Sequence, residues 1–225
     1  MTEISEDVLR DIIAKNVALE LKDNSYVNLG VGIPTRVATF VRPEQNIVLQ
    51  AENGMLGTEE DIEVPVAGEH DPDIISSSGF PATHIVGAAF FDSSLSFGMI
   101  RGGHIDTTVL GAMQVSEKGD IANYEIPEKM VVGMGGAMDL CAGAKEIIVA
   151  TFHTNRGKPK ILKNCTIPLT ALHAVKKIVT EKALIEVTAE GLVLRAYNPM
   201  FSVEEIIRET EAPLIIDQDL KKMVI

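Results

Sequence analysis

The segment from residue 26 to residue 54 most restricts the folds open to this chain, because it predicts a strand, a glycine loop, a helix and a second strand in immediate succession. Its first part, YVNL, predicts a short strand, and the loop GVGIPT follows without a break. Pro34 suits the first turn of a helix that carries Val37 and Phe40. The apolar run IVLQA then predicts an interior strand that ends at Glu52. This order favours a parallel α/β unit with a right-handed crossover.

Further helices and strands alternate along the rest of the chain. We expect a capped helix that begins after Ser5, with the apolar stripe Leu9, Ile13, Val17 and Leu21, and further helices over residues 92–100, 137–144, 169–179 and 202–210. We expect strands over residues 104–115 and 145–151, a hairpin around Gly191, a turn at residues 117–120 and an acidic loop over residues 58–73. No repeat or linker divides the chain, so a single α/β domain over residues 1–225 is expected.

Composition and charge exclude several classes of function. The net charge of -12 argues against a nucleic-acid surface, which needs clustered lysine and arginine. The N-terminus has no apolar signal region, and no apolar run approaches the ~20 residues that span a bilayer. Cys141 and Cys165 fit no metal-ligand or redox spacing, which favours buried free thiols in a reducing compartment. We therefore expect a cytoplasmic protein without nucleic-acid or membrane partners.

Glu52 stands at the end of the second strand, directly before the turn pair Asn53 and Gly54. Asparagine and glycine both tolerate positive φ, so the chain can reverse at once. One interpretation is a hairpin turn with an incidental surface glutamate. The other is a carboxylate that the turn projects into a cleft. Turn chemistry alone leaves both open.

Other candidate motifs are weak. Three glycine-rich loops, at residues 30–32, 102–103 and 133–136, adjoin predicted strands, where α/β proteins bind ligands, but none completes a dinucleotide or Walker fingerprint. Each one alone is explained as well by a tight turn. The five histidines are scattered, and His104 with Asp106, although alternating on a predicted strand, lacks a third ligand. No metal site and no serine-hydrolase elbow are predicted.

A carboxylate at position 52 has a chemistry of its own. It is ionised near pH 7 and needs no base to act as a nucleophile. Its acyl products are anhydrides or thioesters, so the reaction needs an activated acyl donor, N–H donors for the oxyanion and exclusion of water. Glycine loops can supply the N–H donors, and a thioester substrate would be the activated donor.

At these residues the chain resembles a known family. The segment LQAENGMLG is similar to the active-site signature of family I CoA-transferases of the 3-oxoacid, acetate and butyrate–acetoacetate type. Further similar segments are NLGVGIPT, FFDSSLSFGMIRGGHIDTTVLGAMQV, GDIANYEIPEKMVVGMGGAMDL and CTIPLT, so the resemblance covers nearly the whole chain and points to the beta subunit of such enzymes. One departure is Ala51, where the family usually has serine before Glu-Asn-Gly.

The resemblance implies a ping-pong transfer in which Glu52 becomes an acyl anhydride and then a glutamyl-CoA thioester. It implies CoA-binding or oxyanion roles for Gly30, Val31, Gly32, Ile33, Pro34, Asn53 and Gly133. Gly54 is expected to leave room for the thioester. No cofactor is implied beyond CoA as substrate, and the expected partner is the alpha subunit of a CoA-transferase, in an α2β2 assembly. The implied fold is a three-layer open sheet with helices on both faces, similar to the NagB/RpiA/CoA-transferase fold.

Two other functions remain compatible with the sequence. An acyl-CoA hydrolase would use the same glutamate with water as the final acceptor. A non-catalytic sugar-phosphate or effector-binding module on the same fold would need no projecting nucleophile. Acetate, acetoacetate, butyrate and other short or oxo acids all fit as substrates.

Overall fold

The computed structural model describes residues 4–61 and 71–225. A ten-stranded mixed sheet runs through the molecule in the order β17-β16-β15-β14-β10-β5-β1-β2-β3-β4. Its central strands β14, β10, β5, β1 and β2 are parallel, and β3 and β4 at one end are antiparallel to their neighbours. At the other end β15 is antiparallel to both β14 and β16, and the edge strand β17 is parallel to β16. The short strands outside this sheet form three small sheets among the described residues.

The elements have the following bounds. The helices are α1 (Glu6–Glu20), α2 (Ser93–Arg101), α3 (Ala137–Gly143) and α4 (Val203–Arg208), with 3₁₀ helices at Ile33–Phe40 and Pro43–Gln45. The strands are β1 (Tyr26–Leu29), β2 (Val48–Ala51), β3 (Met55–Asp61), β4 (Ala82–Phe90), β5 (Thr107–Leu110), β6 (Gln114–Ser116), β7 (Ile121–Ala122), β8 (Glu125–Ile126), β9 (Met130–Val131), β10 (Glu146–Ala150), β11 (Thr154–Asn155), β12 (Lys158–Pro159), β13 (Ile161–Leu162), β14 (Val175–Val179), β15 (Ala183–Thr188), β16 (Gly191–Tyr197) and β17 (Leu214–Lys222).

Two apolar clusters cover the two faces of the sheet. Along β10, Ile147 and Val149 belong to one cluster with α2, α3 and α4, while Ile148 and Ala150 belong to the other with α1 and the first 3₁₀ helix. Successive residues of a strand point to opposite faces, so the clusters lie on opposite sides of the sheet. The predicted three-layer α/β architecture is confirmed.

The predicted helix starts are confirmed by their capping hydrogen bonds. The N-cap side chains of Ser5, Asp92 and Ser202 accept from the backbone N–H groups of Val8 (3.4 Å), Leu95 (2.9 Å) and Glu205 (3.1 Å). Such caps satisfy N–H groups that the first helical turn leaves without partners. The crossover between β1 and β2 begins as predicted, with Pro in its first turn, but is 3₁₀ rather than α-helical.

Three predictions of local structure are wrong. The apolar spacing over residues 169–179 predicts a helix, but its second half is the buried strand β14, which pairs with β10. The strand predicted over residues 104–115 is divided at Gly111 into β5 and β6, which belong to different sheets, and His104 and Asp106 precede β5. Residues 58–61, predicted as loop, continue β3, and residues 62–70 lie outside the described residues.

Neither cysteine is in a reactive environment. Burial raises the pKa of Cys141 and of Cys165 to about 11 in each case, which keeps both thiols protonated near neutral pH. None of the helices within residues 4–61 and 71–225 has the length and apolar character needed to cross a bilayer.

His153, which follows β10, is fully buried between two hydroxyl groups. Its Nδ1 lies 3.0 Å from Thr180 Oγ1 and its Nε2 lies 2.9 Å from Thr210 Oγ1. Burial, assisted by the charge of Lys182, lowers the pKa of His153 to about 4. The folded state therefore favours the neutral imidazole.

This burial predicts acid sensitivity. The unfolded chain binds a proton at His153 near pH 6.5, so the stabilisation from the neutral imidazole is complete above that pH and is lost as the pH falls to 4. We expect a loss of about 3 kcal/mol in the free energy of unfolding over that interval. Denaturant unfolding of the wild type and of His153→Gln between pH 7 and pH 4 measures it. The His153→Gln variant should show a shallower pH dependence than the wild type, and the control His104→Gln, at an exposed histidine, should show the wild-type dependence. Equal pH dependence in all three proteins would contradict the assignment.

Candidate functional site

The candidate site lies at the carboxyl ends of the parallel strands. β1 has β2 on one side and β5 on the other, so the chain leaves β1 in one direction and later returns to its opposite side. In open α/β sheets, ligands bind at such a topological switch point. The loops that follow β1 and β5, together with the turn after β2, line a single cleft of about 460 Å³.

Glu52 occupies the turn between β2 and the antiparallel strand β3. Ala51 pairs with Met55, and the N–H of Gly54 donates to the Ala51 carbonyl at 3.0 Å, which closes the turn. The hairpin interpretation is therefore right. The glutamate is nevertheless not an incidental surface residue, because its side chain is half-buried and lines the cleft.

A buried amide holds the Glu52 carboxylate. Asn28 Nδ2 donates to Glu52 Oε2 at 3.1 Å. The same nitrogen lies 2.8 Å from Gln50 Oε1 and 3.1 Å from the Gln50 carbonyl oxygen, so three acceptors surround two N–H bonds. Asn28 Oδ1 accepts from Thr108 Oγ1 at 3.3 Å, and Gln50 Nε2 donates to Ser96 Oγ at 2.7 Å. This network orients the carboxylate from the interior of the sheet.

The register of β1 against β2 creates this contact. Asn28 lies directly beside Gln50 on the neighbouring parallel strand, and Glu52 follows two residues later at the strand end. Asn28, Gln50, Thr108 and Ser96 are all buried, so their polar atoms need these partners.

Three loop segments that contain glycine form most of the cleft wall. Residues 30–31, 110–113 and 132–137 line it, with Ser77, Asn123 and Leu140 completing the wall around Glu52. Asn123 Nδ2 donates to the Gly111 carbonyl at 3.1 Å. This hydrogen bond connects the segment after β5 to the end of β7, in the small sheet of β13, β6 and β7.

Two glycines lie close to Glu52, one in space and one in its turn. A Cβ on Gly136 would lie 3.6 Å from Glu52 Cγ, an ordinary contact, and 3.1 Å from the Phe97 ring, which would have to move by a few tenths of an ångström. Gly54, at φ 132°, has the Phe91 carbonyl oxygen where its Cβ would be. The prediction that Gly54 leaves room for a substrate is wrong, because the Phe91 backbone fills that space.

The structure brings some of the predicted site residues together and separates others. Gly30, Val31 and Gly133 line the cleft with Glu52. Gly32 and Ile33 line a neighbouring cleft that shares Val31, Pro34 is buried, and Asn53 turns away to donate from Nδ2 to the Ile75 carbonyl at 2.7 Å.

Two of the amides predicted to face an oxyanion are already engaged. The Gly30 N–H donates to the Val109 carbonyl at 2.8 Å, and the Gly133 N–H makes a long contact of 3.4 Å with the Tyr124 carbonyl. Gly133 is therefore the more easily released donor of the two.

Sequence reasoning missed Asn28, Gln50 and Ser96. A signal for the first two was present, because each is a polar residue inside a short apolar strand that leads into a glycine loop or turn. Ser96 carried no such signal, since its position on the buried side of α2 follows from the packing of that helix.

Comparison with known proteins agrees with the geometry. The family model described as Coenzyme A transferase matches residues 10–209. A probable coenzyme A transferase beta subunit of Bacillus subtilis is 45% identical over 209 residues, which make up 92% of this chain and 95% of the relative. An acetate CoA-transferase beta subunit of Haemophilus influenzae is 43% identical over 218 residues, which make up 96% of each chain.

The likeness extends to solved structures. The apoenzyme of an acyl-CoA transferase (YdiF) from Escherichia coli O157:H7 matches with a TM-score of 0.77 at 20% identity. The match covers 100% of this chain and 45% of that chain, so this chain spans less than half of that protein. At this identity the likeness shows the fold.

Proposed function

The chain belongs to the coenzyme A transferase family, and on that basis we propose that it is the glutamate-bearing subunit of an enzyme that moves CoA between a short-chain acyl-CoA, or 3-oxoacyl-CoA, and a free carboxylic acid. The observation that carries the proposal is the Glu52 carboxylate, held by the buried amide of Asn28 at a cleft lined by three glycine-containing loops.

In the first half-reaction Glu52 attacks the acyl carbonyl of acyl-CoA. The carbon–sulfur bond breaks, which gives an acyl-glutamyl anhydride and CoA thiolate. The thiolate then attacks the glutamyl carbonyl, releases the first acid as carboxylate and leaves a glutamyl-CoA thioester. A second carboxylate reverses these steps: it attacks the thioester to form a new anhydride, and the thiolate takes the new acyl group and restores Glu52.

The site offers features that this chemistry needs. Asn28 Nδ2 lies 3.1 Å from a Glu52 oxygen, where negative charge develops when the thiolate attacks the glutamyl carbonyl. Gly133 lines the same cleft, which supports its backbone N–H as the proposed donor to the substrate oxyanion. Glu52 lines the cleft, and within the described residues the β2–β3 hairpin and Asn28 contact it from the protein side.

A partner subunit is part of the proposal. The relatives named above are beta subunits, and we infer an alpha subunit that completes the site, in an α2β2 assembly. Val31, Val131 and Val132, at or beside the rim of the cleft, are 63%, 73% and 64% exposed. Apolar side chains so exposed at the edge of a ligand site suit a protein cover.

A transfer assay distinguishes a CoA-transferase from an acyl-CoA hydrolase. We expect the chain co-expressed with its alpha-type partner to convert acetate or acetoacetate into the matching acyl-CoA when supplied with a second acyl-CoA. After incubation with donor alone, peptide mapping should find CoA on the peptide that contains Glu52. Release of free thiol without exchange would show a hydrolase instead, and exchange without an adduct at Glu52 would disprove the proposed intermediate.

A further inference from the structure

The loop over residues 75–80, here called the serine loop for its three consecutive serines, lies beside the turn that carries Glu52. Asn53 Nδ2 donates to the Ile75 carbonyl at 2.7 Å, so the residue that follows Glu52 holds the start of the loop. Ser77, two residues further along, lines the same cleft as Glu52. The loop therefore places a residue with a hydroxyl group in the wall of the candidate site.

Hydrogen bonds within the serine loop fix its conformation. The Ser76 N–H donates to the Phe80 carbonyl at 2.8 Å, and the Gly79 N–H donates to the Ser76 carbonyl at 3.0 Å. The hydroxyl of Ser76, which is buried, accepts from the Ser78 N–H at 3.2 Å. Ser77 is thus a central residue of a closed turn. A residue placed in advance in this way loses less entropy when it binds a ligand.

Three polar side chains belong to the described wall of the cleft, those of Glu52, Ser77 and Asn123. The Asn123 amide is engaged at both ends, because its Nδ2 donates to the Gly111 carbonyl at 3.1 Å and its Oδ1 accepts from Thr170 Oγ1 at 2.7 Å. The Ser77 hydroxyl, in contrast, makes no hydrogen bond to any described residue. Ser77 is half-buried, so solvent can satisfy its hydroxyl until a polar group of a substrate takes that place.

The other side chains of the described wall are apolar. They belong to valine, leucine, methionine and alanine residues, and the remaining positions are glycines. A saturated acyl chain finds apolar contacts there. A ketone oxygen buried among the same side chains costs free energy unless a donor meets it. A serine hydroxyl has an O–H donor and a ketone oxygen is an acceptor, so the two are complementary.

Building on the proposed function, we propose that Ser77 determines acyl specificity and selects acyl groups that carry an oxygen beyond the reacting carbonyl, as a 3-oxoacyl group does. The Ser77 hydroxyl donates to that oxygen in the bound acyl-CoA and in the anhydride with Glu52. A saturated acyl group of the same length offers no acceptor, so the hydroxyl gains no partner from it. The 3-oxoacyl class is therefore favoured over the saturated class by the strength of one hydrogen bond.

The neighbouring serine provides a matched comparison. Ser78 belongs to the same turn, is half-buried like Ser77, and its hydroxyl also makes no hydrogen bond to a described residue. It lines the neighbouring cleft that includes Gly32 and Ile33, rather than the cleft of Glu52. Removal of the Ser78 hydroxyl should therefore leave the choice between acyl groups unchanged.

The test compares two donors, acetoacetyl-CoA and butyryl-CoA, whose acyl groups have the same chain length and differ in the 3-oxo oxygen. Their competition in one assay, with the full chain in complex with its alpha-type partner, gives the ratio of the two kcat/KM values. Ser77→Ala should lower this ratio by about 3- to 10-fold, the change expected for loss of one neutral hydrogen bond. Ser78→Ala should leave it unchanged.

Two variants of equal shape separate the hydroxyl from side-chain bulk. Ser77→Thr keeps the hydroxyl and should keep the ratio within about twofold of the wild type. Ser77→Val has a methyl group in place of that hydroxyl and should lower the ratio as Ser77→Ala does. Equal ratios in the threonine and valine variants, an unchanged ratio in Ser77→Ala, or an equal change in Ser78→Ala would each overturn the assignment.

Titration of a complex that cannot react gives a measurement independent of transfer. In the Glu52→Ala background, the additional change Ser77→Ala should weaken the affinity for acetoacetyl-CoA by about 3- to 10-fold and that for butyryl-CoA by less than about twofold. Equal losses for the two ligands would refute the role of Ser77. A wild-type complex that transfers no CoA would instead refute the proposed function, and the titration would still decide whether Ser77 recognises the acyl oxygen.

Discussion

Glu52→Ala is expected to lower CoA transfer by about 1,000-fold or more, because the variant has no side chain able to form the anhydride or the thioester. Folding should change little. The amide of Asn28 keeps both acceptors on Gln50, so no buried donor loses all of its partners. Steady-state exchange between a donor acyl-CoA and a labelled acid measures the effect, with thermal unfolding as the check on folding.

Two further variants sharpen this prediction. Glu52→Asp keeps the carboxylate but withdraws it by about 1 Å, and a displacement of that size typically costs ~100-fold in rate. Glu59→Ala removes an exposed carboxylate from β3 of the same hairpin and should retain wild-type transfer. Transfer by Glu52→Ala at a rate near that of the wild type would rule out the covalent mechanism.

Gly54→Ala is expected to destabilise the fold and inactivate the site together. Its Cβ would be forced into the Phe91 carbonyl, at a φ of 132° that L-residues rarely adopt. Relief of the clash would break the hydrogen bond of 2.9 Å from the Phe91 N–H to the Gly54 carbonyl. We expect the free energy of unfolding to fall by about 3 kcal/mol or more, which corresponds to a decrease in Tm of roughly 6–12 °C for a chain of this size.

The matched control is Gly157→Ala. Gly157 also has a positive φ, 75°, but no atom lies within 4 Å of its Cβ position, so only the backbone preference is lost. Gly157→Ala should lower the free energy of unfolding by about 1 kcal/mol. Because the turn positions Glu52, residual transfer by folded Gly54→Ala should also be low, whereas Gly157→Ala should be fully active. Equal stability of the two variants would contradict the steric argument.

Short-range patterns in the sequence were enough to predict the helices, strand and loop that surround the site. Ser5, Asp92 and Ser202 marked helix starts because capping is a contact between residues three apart in the chain. The strand before Glu52 and the loop before Pro34 were likewise visible as short-range patterns of apolar, glycine and proline residues. Each of these features is determined by neighbours in the sequence.

The errors arose where distant parts of the chain decide the structure. The apolar spacing up to Val179 suits a helix, but the β-branched residues Val175, Ile178 and Val179 form a strand that packs beside β10. The hydrogen bond from Asn28 to Glu52 depends on strand register, which the sequence does not display. The occupation of the space at Gly54 by Phe91 likewise depends on the pairing of β3 with β4.

The three acceptors around Asn28 Nδ2 have a consequence for repeated turnover. In the mechanism that we propose, Glu52 alternates between a carboxylate anion and a neutral anhydride or thioester, so its surroundings must tolerate both forms. With two N–H bonds shared among Glu52 Oε2, Gln50 Oε1 and the Gln50 carbonyl, a small rotation of the amide follows the change of charge without stranding a donor in the protein interior. The strand pair could thus keep the same packing in each of the proposed covalent states.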